Sequence, residues 1–410
     1  MDLQWSKDEQ DFQDEVRDFL EQKLTPELRR AGRLMTSVYA DHEASMAWQA
    51  ILHERGWAAS AWPVEFGGCD WSLTQHYIFT RESTLAGAPS LSPMGIRMVA
   101  HAIIRYGTDA QKDFFLPRIL TGEVFFCQGY SEPEAGSDLA ALSMAAIADG
   151  DDLMCTGSKI WTTHAAEANW MFALVRTSRV QKKQQGITFV LIDMTSPGIA
   201  IHPLVMTSGE EVQNQVFFDE VRVPKRNVLG EIDEGWTVAK YLLEFERGGG
   251  AVAPGLQVTA EEISDAAKDQ PGPGGGRLAD DPAFARKLAD ARIRAEVLEI
   301  LEYRVLATVA QGGNPGAASS MLKILSTELS QTLTELALEA AGPCGRAYQP
   351  HVTAPGGPVA DFEPPADGYA SGEPWQAVAP LRYFNDRAGS IYAGSNEIQR
   401  NILAKAALGL

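Results

Sequence analysis

The pattern of apolar and polar positions divides the chain into three regions. In the first region, apolar residues recur at the spacing of one face of an α-helix. A capping box, Ser6-Lys7-Asp8-Glu9, precedes the first such run, and a second start signal at Gly107–Lys112 opens a helix predicted to end at Leu116-Pro117. The first apolar face consists of Phe12, Val16, Phe19 and Leu20. Residues 1–123 are therefore predicted to form an N-terminal α-helical domain.

From about residue 124 the apolar residues become dense and β-branched, and the period shortens. Two of the runs flank Asp149-Gly150-Asp151, which is typical of a hairpin turn. The predicted strands cover residues 139–148, 153–163, 170–175, 187–194 and 216–224. Residues 124–232 are therefore predicted to form a middle β-domain.

Helical spacing returns in residues 233–410, with two interruptions. The first is a Gly- and Pro-rich loop at 270–276. The second, an irregular insertion at 346–378, is long for a connection inside a helical bundle. It is either a mobile surface loop or a lid or partner contact. The predicted fold class is α+β with several domains.

Charge and composition narrow the possible functions. The chain has 410 residues, of which 45% are hydrophobic, so it can bury a large core. Its formal net charge of −19 disfavours a nucleic-acid or anionic membrane surface as a partner. An anionic ligand would have to meet local positive charge.

The cysteines and the hydrophobic runs indicate a cytoplasmic protein. Cys69, Cys127, Cys155 and Cys344 are far apart and lack the spacing of a zinc site or a disulfide framework. The first residues are acidic and amphipathic, and no apolar run reaches the length of a membrane span. We expect no metal, no export signal and no membrane span.

The residues with the most distinctive chemistry lie in the β-region. The segment Cys127-Gln128-Gly129-Tyr130-Ser131-Glu132-Pro133-Glu134-Ala135-Gly136-Ser137-Asp138 interrupts regular structure with Pro and Gly and adds short hydroxyl donors, so it can hold a flat polar ring or simply form a turn. About thirty residues later, Lys159-Ile160-Trp161-Thr162-Thr163-His164 places a large aromatic plane beside hydroxyls.

These two segments resemble the isoalloxazine-binding segments of the acyl-CoA dehydrogenase family. The resemblance covers nearly the whole chain except residues 346–378. It implies an N-terminal helical domain, a middle β-barrel, a C-terminal four-helix bundle and bound FAD. It also implies that Ser131 bonds the flavin pyrimidine edge, Trp161 lies along the ring and the Thr163 hydroxyl lies near N5. Further cofactor contacts implied by the resemblance are Gln128, Tyr130, Gly136, Ser137, Ser395 and Glu397.

The catalytic base departs from the common pattern of this family. Many members use a Glu in a Tyr-Glu-Gly segment near the carboxyl end, where this chain reads Tyr392-Ala393-Gly394. Some members instead carry Glu-Arg on the first long helix of the C-terminal domain, which here is Glu246-Arg247. Helical spacing places Glu246 one turn after Leu242 on the apolar stripe, and burial would raise its pKa toward that of a base working near neutral pH.

Each of these two residues has a plainer alternative. Glu246 could be a structural carboxylate neutralised by Arg247, although adjacent helical residues do not face each other. Arg247 could be a solvated surface residue; the resemblance implies that it orients the base and the substrate. Substrate contacts implied by the resemblance are Ser137, Arg247, Ala393 through its backbone N–H, and Gly394.

Two segments that serve the adenosine half of FAD in homo-oligomeric relatives are degraded. Arg277-Leu278-Ala279-Asp280-Asp281-Pro282 lacks the Phe-Gly of the family pattern, and Pro343 removes a backbone donor from Gly342-Pro343-Cys344-Gly345. This resembles the actinobacterial acyl-CoA dehydrogenases that act as α2β2 heterotetramers in steroid side-chain degradation. It implies a second, homologous subunit and an electron-transfer flavoprotein as the acceptor.

The sequence therefore predicts FAD-dependent α,β-dehydrogenation of a bulky or steroid side-chain acyl-CoA. Two alternatives stay open: an acyl-CoA oxidase or flavin oxygenase, and a non-catalytic subunit of a heteromeric dehydrogenase. His164, next to Thr163, is interpreted as a packing residue.

Overall fold

The computed structural model of this protein describes residues 5–37, 41–247, 251–311, 313 and 316–409, with side chains omitted at 244–247. Backbone contacts divide the chain into two compact units. The helical unit comprises Met1–Ala44, Trp71–Ser90 and Gly248–Leu410, and the sheet unit comprises Ser45–Asp70 and Leu91–Arg247. The predicted α+β fold class is confirmed.

Helices occupy most of the chain outside the sheet. Their bounds are α1 Lys7–Lys23, α2 Pro26–Leu34, α3 His42–Arg55, α4 Leu73–Ala86, α5 Ala100–Tyr106, α6 Asp109–Thr121, α7 Gly235–Arg247, α8 Ala253–Asp269, α9 Pro282–Ala310, α10 Ala318–Ala341, α11 Pro374–Asp386 and α12 Asn396–Leu408. A π-helical turn, Met94–Val99, leads directly into α5.

The sheet unit is built on one seven-stranded sheet. The strands are β1 Phe126–Gly129, β2 Ala145–Asp149, β3 Asp152–Thr163, β4 Trp170–Arg176, β5 Ile187–Asp193, β6 Ile199–Leu204 and β7 Gln213–Pro224. Their order is β1-β4-β2-β3-β7-β6, with β5 paired to β4. The predicted hairpin at Asp149-Gly150-Asp151 is confirmed, since β2 and β3 pair antiparallel across it and Gly150 has a φ of 58°.

Apolar strand residues form the core of the sheet unit. Cys127, Met171, Val190 and Val216 are completely buried within it. Helix α7 starts against β5 so closely that a Cβ at Gly235 would lie 2.2 Å from the Phe189 nitrogen. Only a glycine allows the helix to approach the strand at this point, so this contact positions α7.

One strand prediction and one helix prediction in the sheet unit were wrong in part. The run from Leu139 does not enter the sheet at once, because Leu139–Ala141 is a 3₁₀ turn and β2 begins at Ala145. Helix α6 starts at the predicted cap, with Thr108 and Gln111 forming a capping box, but it continues through Pro117 to Thr121. Buried Leu116 and Ile119 on either side of Pro117 hold this turn against the core, which outweighs the proline's missing donor.

The helical unit contains α1, α2, α4 and α8–α12, with α8, α9 and α10 packed against one another. The capping box at Ser6 and Glu9 is confirmed at the start of α1, which packs on α4. Helix α10 contacts α8, α9, α11 and α12. The stretch predicted to be irregular through residue 378 ends earlier, because α11 begins at Pro374 with a capping box between Glu373 and Gln376. Among the described residues, no helix is both long and apolar enough to cross a membrane.

Candidate functional site

The predicted polar cradle is a loop that leaves the end of β1. We call residues 130–138 the cradle loop. Its turn is closed by two backbone bonds of 3.0 Å, from Glu132 N–H to Ala135 O and from Ala135 N–H to Glu132 O. Beyond this turn, Gly136 and Ser137 are exposed, and a Cβ built on Gly136 would have no other heavy atom within 4 Å. The loop therefore presents small, open positions at its surface.

Trp161 lies on a β-bulge that turns its side chain outward. The register between β3 and β7 shifts between Lys159 and Thr162, which leaves one extra residue on β3. Trp161 has a φ of 59°, in the left-handed region that an indole-bearing residue rarely adopts, and 59% of its surface is exposed. A large apolar plane held outward in a strained conformation is typical of a ligand-contacting position.

The structure brings the cradle loop and the Trp161 bulge together. The Ile160 N–H donates to the Ser131 carbonyl oxygen at 2.9 Å, so Ser131 is bonded directly to the residue that precedes Trp161. Thr163 pairs with Gln213 across the sheet, and the Gln213 Nε2 donates to Thr163 Oγ1 at 2.9 Å. Sequence reasoning did not identify Gln213, because only the strand register places it beside Thr163.

Of three other residues near the cradle, Gln128 is half-buried and Tyr130 and His164 are buried. Gln128 lies on β1 opposite Phe172 of β4. The Tyr130 ring is buried and packs edge-on against Phe172, with 5.7 Å between ring centroids, so only its backbone is available to the cradle. His164 is buried against Phe125, and its Nδ1 lies 3.5 Å from a carboxylate oxygen of Glu167. The predicted packing role of His164 agrees with this position.

A buried ion pair lies beneath the cradle loop, and sequence reasoning gave neither partner a role. The Lys159 ammonium, with no exposed surface, lies 2.8 Å from the Glu132 carboxylate. Burial raises the pKa of Glu132, but the Lys159 charge and hydrogen bonds outweigh it, so the pKa is held below its ordinary value. The sequence did contain a signal that Lys159 is buried. Lys159 lies at an even spacing from Leu153 and Cys155 on the same strand, so it faces the same side as these two buried residues.

In the helical unit, the segment before α12 forms a rigid turn. Ala393 and Gly394 both have positive φ, at 53° and 79°. The buried Gln399 amide donates to both of their carbonyl oxygens at 3.3 Å, and the Ser320 hydroxyl in turn donates to Gln399 Oε1 at 2.7 Å. These hydrogen bonds hold the backbone of Ala393 and Gly394 in one conformation.

Ser395 and Glu397 form the start of α12. The Ser395 hydroxyl accepts from the Ile398 N–H at 3.4 Å as the helix cap. Glu397 is exposed, and its own backbone N–H and the Ser395 hydroxyl hold its pKa below the ordinary value. Both polar groups thus lie at a helix N-terminus, where backbone donors favour anionic groups.

The predicted base and its neighbour lie at the end of α7. The backbone is helical through Arg247, but the side chains of Glu246 and Arg247 are outside the described residues. Val238 and Leu242 are buried on this helix, so the same periodicity continues to predict an inward position for residue 246. The roles of Glu246 and Arg247 remain predictions.

The segments at 277–282 and 342–345, which the resemblance relates to the adenosine half of FAD, make local contacts. Arg277 is exposed and pairs with Asp280 at 3.3 Å. Gly342–Arg346 forms a 3₁₀ turn with Gly342 at a φ of 55°. Neither segment has the family's complete pattern.

Models of one known protein family match most of the chain. The family models for the N-terminal, middle and C-terminal domains of acyl-CoA dehydrogenases match residues 6–123, 127–221 and 233–408. The chain belongs to the acyl-CoA dehydrogenase family. It is 33% identical to acyl-CoA dehydrogenase IpdE1 of Mycobacterium tuberculosis, over 98% of each chain, and 30% identical to FadE26 of the same organism, over 100% of this chain and 99% of FadE26.

Solved structures of this family include heteromeric complexes similar to this chain. A chain of the ChsE4-ChsE5 complex from M. tuberculosis has a TM-score of 0.79 at 30% identity, covering 100% of this chain and 99% of that one. A chain of the Tcur3481-Tcur3483 steroid acyl-CoA dehydrogenase has a TM-score of 0.81 at 26% identity, with the same coverage.

Membership implies a flavin cofactor, and the residues of the sheet unit fit one. The exposed Trp161 indole offers a stacking surface, and Ser131 and Thr163 offer hydroxyl groups on the adjacent backbone. Gly136 lies at an open position, since a Cβ there would have no other heavy atom within 4 Å. An isoalloxazine ring requires an apolar surface against its face and polar groups along its edge.

Proposed function

We propose that this acyl-CoA dehydrogenase uses FAD to introduce an α,β double bond into a bulky acyl-CoA of the steroid side-chain type. The observation that carries the flavin site is the direct bond between Ile160 and Ser131, which ties the exposed Trp161 plane to the polar cradle. Gln128, Tyr130, Gly136 and Ser137 are proposed to complete the ring contacts. Thr163, oriented by Gln213, is proposed to donate its hydroxyl hydrogen to the flavin.

The proposed reaction assigns one task to each residue. A bound FAD would supply the acceptor for the hydride of the β-carbon. Glu246 removes the α-proton, and Arg247 orients Glu246 and the substrate. The Ala393 backbone N–H bonds the thioester oxygen and stabilises the negative charge that develops there. Ser137 and Gly394 contact the substrate, and Ser395 and Glu397 contact the cofactor.

The substrate class and the partner are proposed from the relatives. A relative of similar fold is described as a steroid acyl-CoA dehydrogenase, and two of the similar structures pair different chains. The incomplete segments at Arg277 and Gly342 fit a chain whose adenosine half-site is completed by a second, homologous subunit in an α2β2 assembly. We propose a cytoplasmic enzyme that passes electrons to an electron-transfer flavoprotein.

The first test is the reaction of the oxidised protein with substrate in the absence of oxygen. We expect a steroid side-chain CoA thioester to bleach the visible flavin absorbance faster than a straight-chain thioester does. Admitting air should restore the colour slowly, and an electron-transfer flavoprotein should restore it quickly. Rapid recovery in air would instead favour the oxidase, and failure of every thioester to bleach the flavin would contradict a dehydrogenase.

The second test concerns the partner subunit. An affinity-tagged chain purified from its native host should carry a homologous second subunit and bound FAD, whereas the chain produced alone should hold less than one FAD per subunit. Flavin absorbance and protein mass measured on the same sample give the ratio. A homo-oligomer fully loaded with FAD would contradict the proposed shared half-site.

A further inference from the structure

The Lys159–Glu132 ion pair is buried where the sheet meets the cradle loop. Lys159 is 0% exposed and Glu132 is 6% exposed. Burying two charges is costly, and apolar replacements of such pairs are often equally stable or more stable. A buried pair therefore suggests a role other than stability alone, and its hydrogen bonds indicate which.

Every donor and acceptor of the pair is used. The Lys159 ammonium donates its three hydrogen bonds to Glu132 Oε1 at 2.8 Å, Tyr130 O at 3.2 Å and Leu174 O at 2.7 Å. Glu132 Oε2 accepts from the Ser143 N–H at 2.6 Å and the Ser143 hydroxyl at 3.0 Å, and Oε1 also accepts from the Met144 N–H at 3.0 Å. A fully satisfied buried network permits only one arrangement of its members.

This network joins four segments of the sheet unit. Lys159 lies on β3, one residue before Ile160 and two before Trp161, while Tyr130 and Glu132 belong to the cradle loop. Leu174 lies on β4, and Ser143 and Met144 lead into β2. The pair thus fixes the cradle loop relative to the bulge that presents Trp161.

We propose that Lys159 and Glu132 are positioning residues for the flavin ring. By fixing the distance between the cradle backbone and the Trp161 plane, they set where the polar edge and the face of the ring are held. They do so through other groups, because both side chains are enclosed by protein. This inference rests on the proposed flavin site and deepens it.

The test separates positioning from stability with two variants. Glu132→Asp keeps the charge but shortens the side chain by one methylene, so the carboxylate cannot reach Lys159, Ser143 and Met144 together. The double variant Lys159→Met/Glu132→Leu removes both charges and leaves no buried charge unpaired, but the Ser143 and Met144 N–H groups lose their acceptor. Arg222→Met is the matched control, because Arg222 makes exposed ion pairs on the neighbouring strand β7.

Flavin affinity and the visible spectrum of bound flavin are measured in the assembly in which the wild type binds FAD. We expect both pair variants to bind FAD about tenfold more weakly, equivalent to about 1.4 kcal/mol, with a shifted spectrum. The double variant should melt below the wild type because of the unpaired Ser143 and Met144 N–H groups, but above the single variant Lys159→Met, which leaves the Glu132 charge buried and unpaired. Arg222→Met should match the wild type in every readout. Unchanged affinity and spectrum in both pair variants would overturn the inference.

The pH profile gives a second readout. The pKa of Glu132 is lowered in the folded protein. The stability that its ionised carboxylate contributes to the fold is therefore complete above the ordinary carboxyl value of 4.5 and is lost as pH falls through the lowered pKa. The affinity gap between wild type and double variant should therefore narrow on acidification. The other ionisable groups near the pair are Cys155 on β3 and Arg176 on β4, and both are retained in the variants.

Two remaining outcomes are informative. If the double variant, measured at a temperature where it is fully folded, binds FAD with the wild-type affinity and spectrum, the pair has a purely structural role and the positioning proposal is wrong. If the wild type binds no FAD in any assembly, the proposed function itself fails, which the variants alone would not show.

Discussion

Glu246→Gln should leave the flavin bound and slow its reduction by substrate by roughly 10²- to 10⁴-fold, the usual contribution of a general base. Glutamine has nearly the same shape as glutamate but cannot accept the α-proton. The prediction depends on Ala393, which by resemblance stands at the family's usual base position and whose methyl group cannot accept a proton. Anaerobic stopped-flow measurement of flavin bleaching, with the FAD content determined on the same sample, provides the readout.

Glu244→Gln is the matched control, since it makes the same change on the same helix. Residue 244 is half a turn from residue 246, on the side that follows exposed Lys240. Its reduction rate should stay within about twofold of the wild type. Equal rates for wild type and Glu246→Gln would exclude Glu246 as the base and revive the interpretation of this chain as a non-catalytic subunit.

The second large effect is expected in the helical unit, at Glu302. This buried residue of α9 caps α8 from a distance, because its Oε1 accepts from the Val252 N–H at 2.8 Å and the Ala253 N–H at 3.0 Å. Its Oε2 accepts from the Tyr77 hydroxyl at 3.2 Å. Glu302→Leu would leave these donors without an acceptor, so we expect a loss of roughly 3 kcal/mol in the free energy of unfolding.

Denaturant unfolding of Glu302→Leu and Glu296→Leu measures this effect. Glu296 is exposed on the same helix, so its replacement should change the free energy of unfolding by less than about 0.5 kcal/mol. Equal stability of the two variants would show that the α8 donors find other partners.

Glu302 also predicts a pH dependence. Burial raises the pKa of Glu302 and outweighs the hydrogen bonds from Ala253, Val252 and Tyr77. The stability it contributes is therefore complete below the ordinary carboxyl pKa and declines as pH rises through the raised value. The difference in unfolding free energy between wild type and Glu302→Gln should shrink as pH rises above the ordinary carboxyl value of 4.5.

Features that depend on a few neighbouring residues were predictable from the sequence. The capping box at Ser6, the helix start within Gly107–Lys112 and the hairpin turn around Gly150 were all confirmed, because each is set by residues within one turn of the chain. The end of α6 was not, since the packing of Leu116 and Ile119 against distant residues overrides the local effect of Pro117.

The features of the candidate site also differ in whether the sequence alone could predict them. The sequence identified the cradle segment and Trp161, because their residue types and order are local and resemble a family pattern. It did not reveal that Trp161 lies on a bulge with positive φ, since that depends on the register of β3 against β7. Gln213 was missed for the same reason.

The sequence by itself predicted the family, which the family models confirm. The same resemblance also predicted the loss of the usual base at Ala393, Glu246 as its replacement and the incomplete adenosine segments, because it depends on residue types in chain order. Only the tertiary structure revealed the Lys159–Glu132 pair and its links to Tyr130, Leu174, Ser143 and Met144. The two charges are 27 residues apart in the chain. They meet because the sheet pairs strands that are distant in sequence, and a buried charge is stable only where folding brings its counter-charge and hydrogen-bond partners to it.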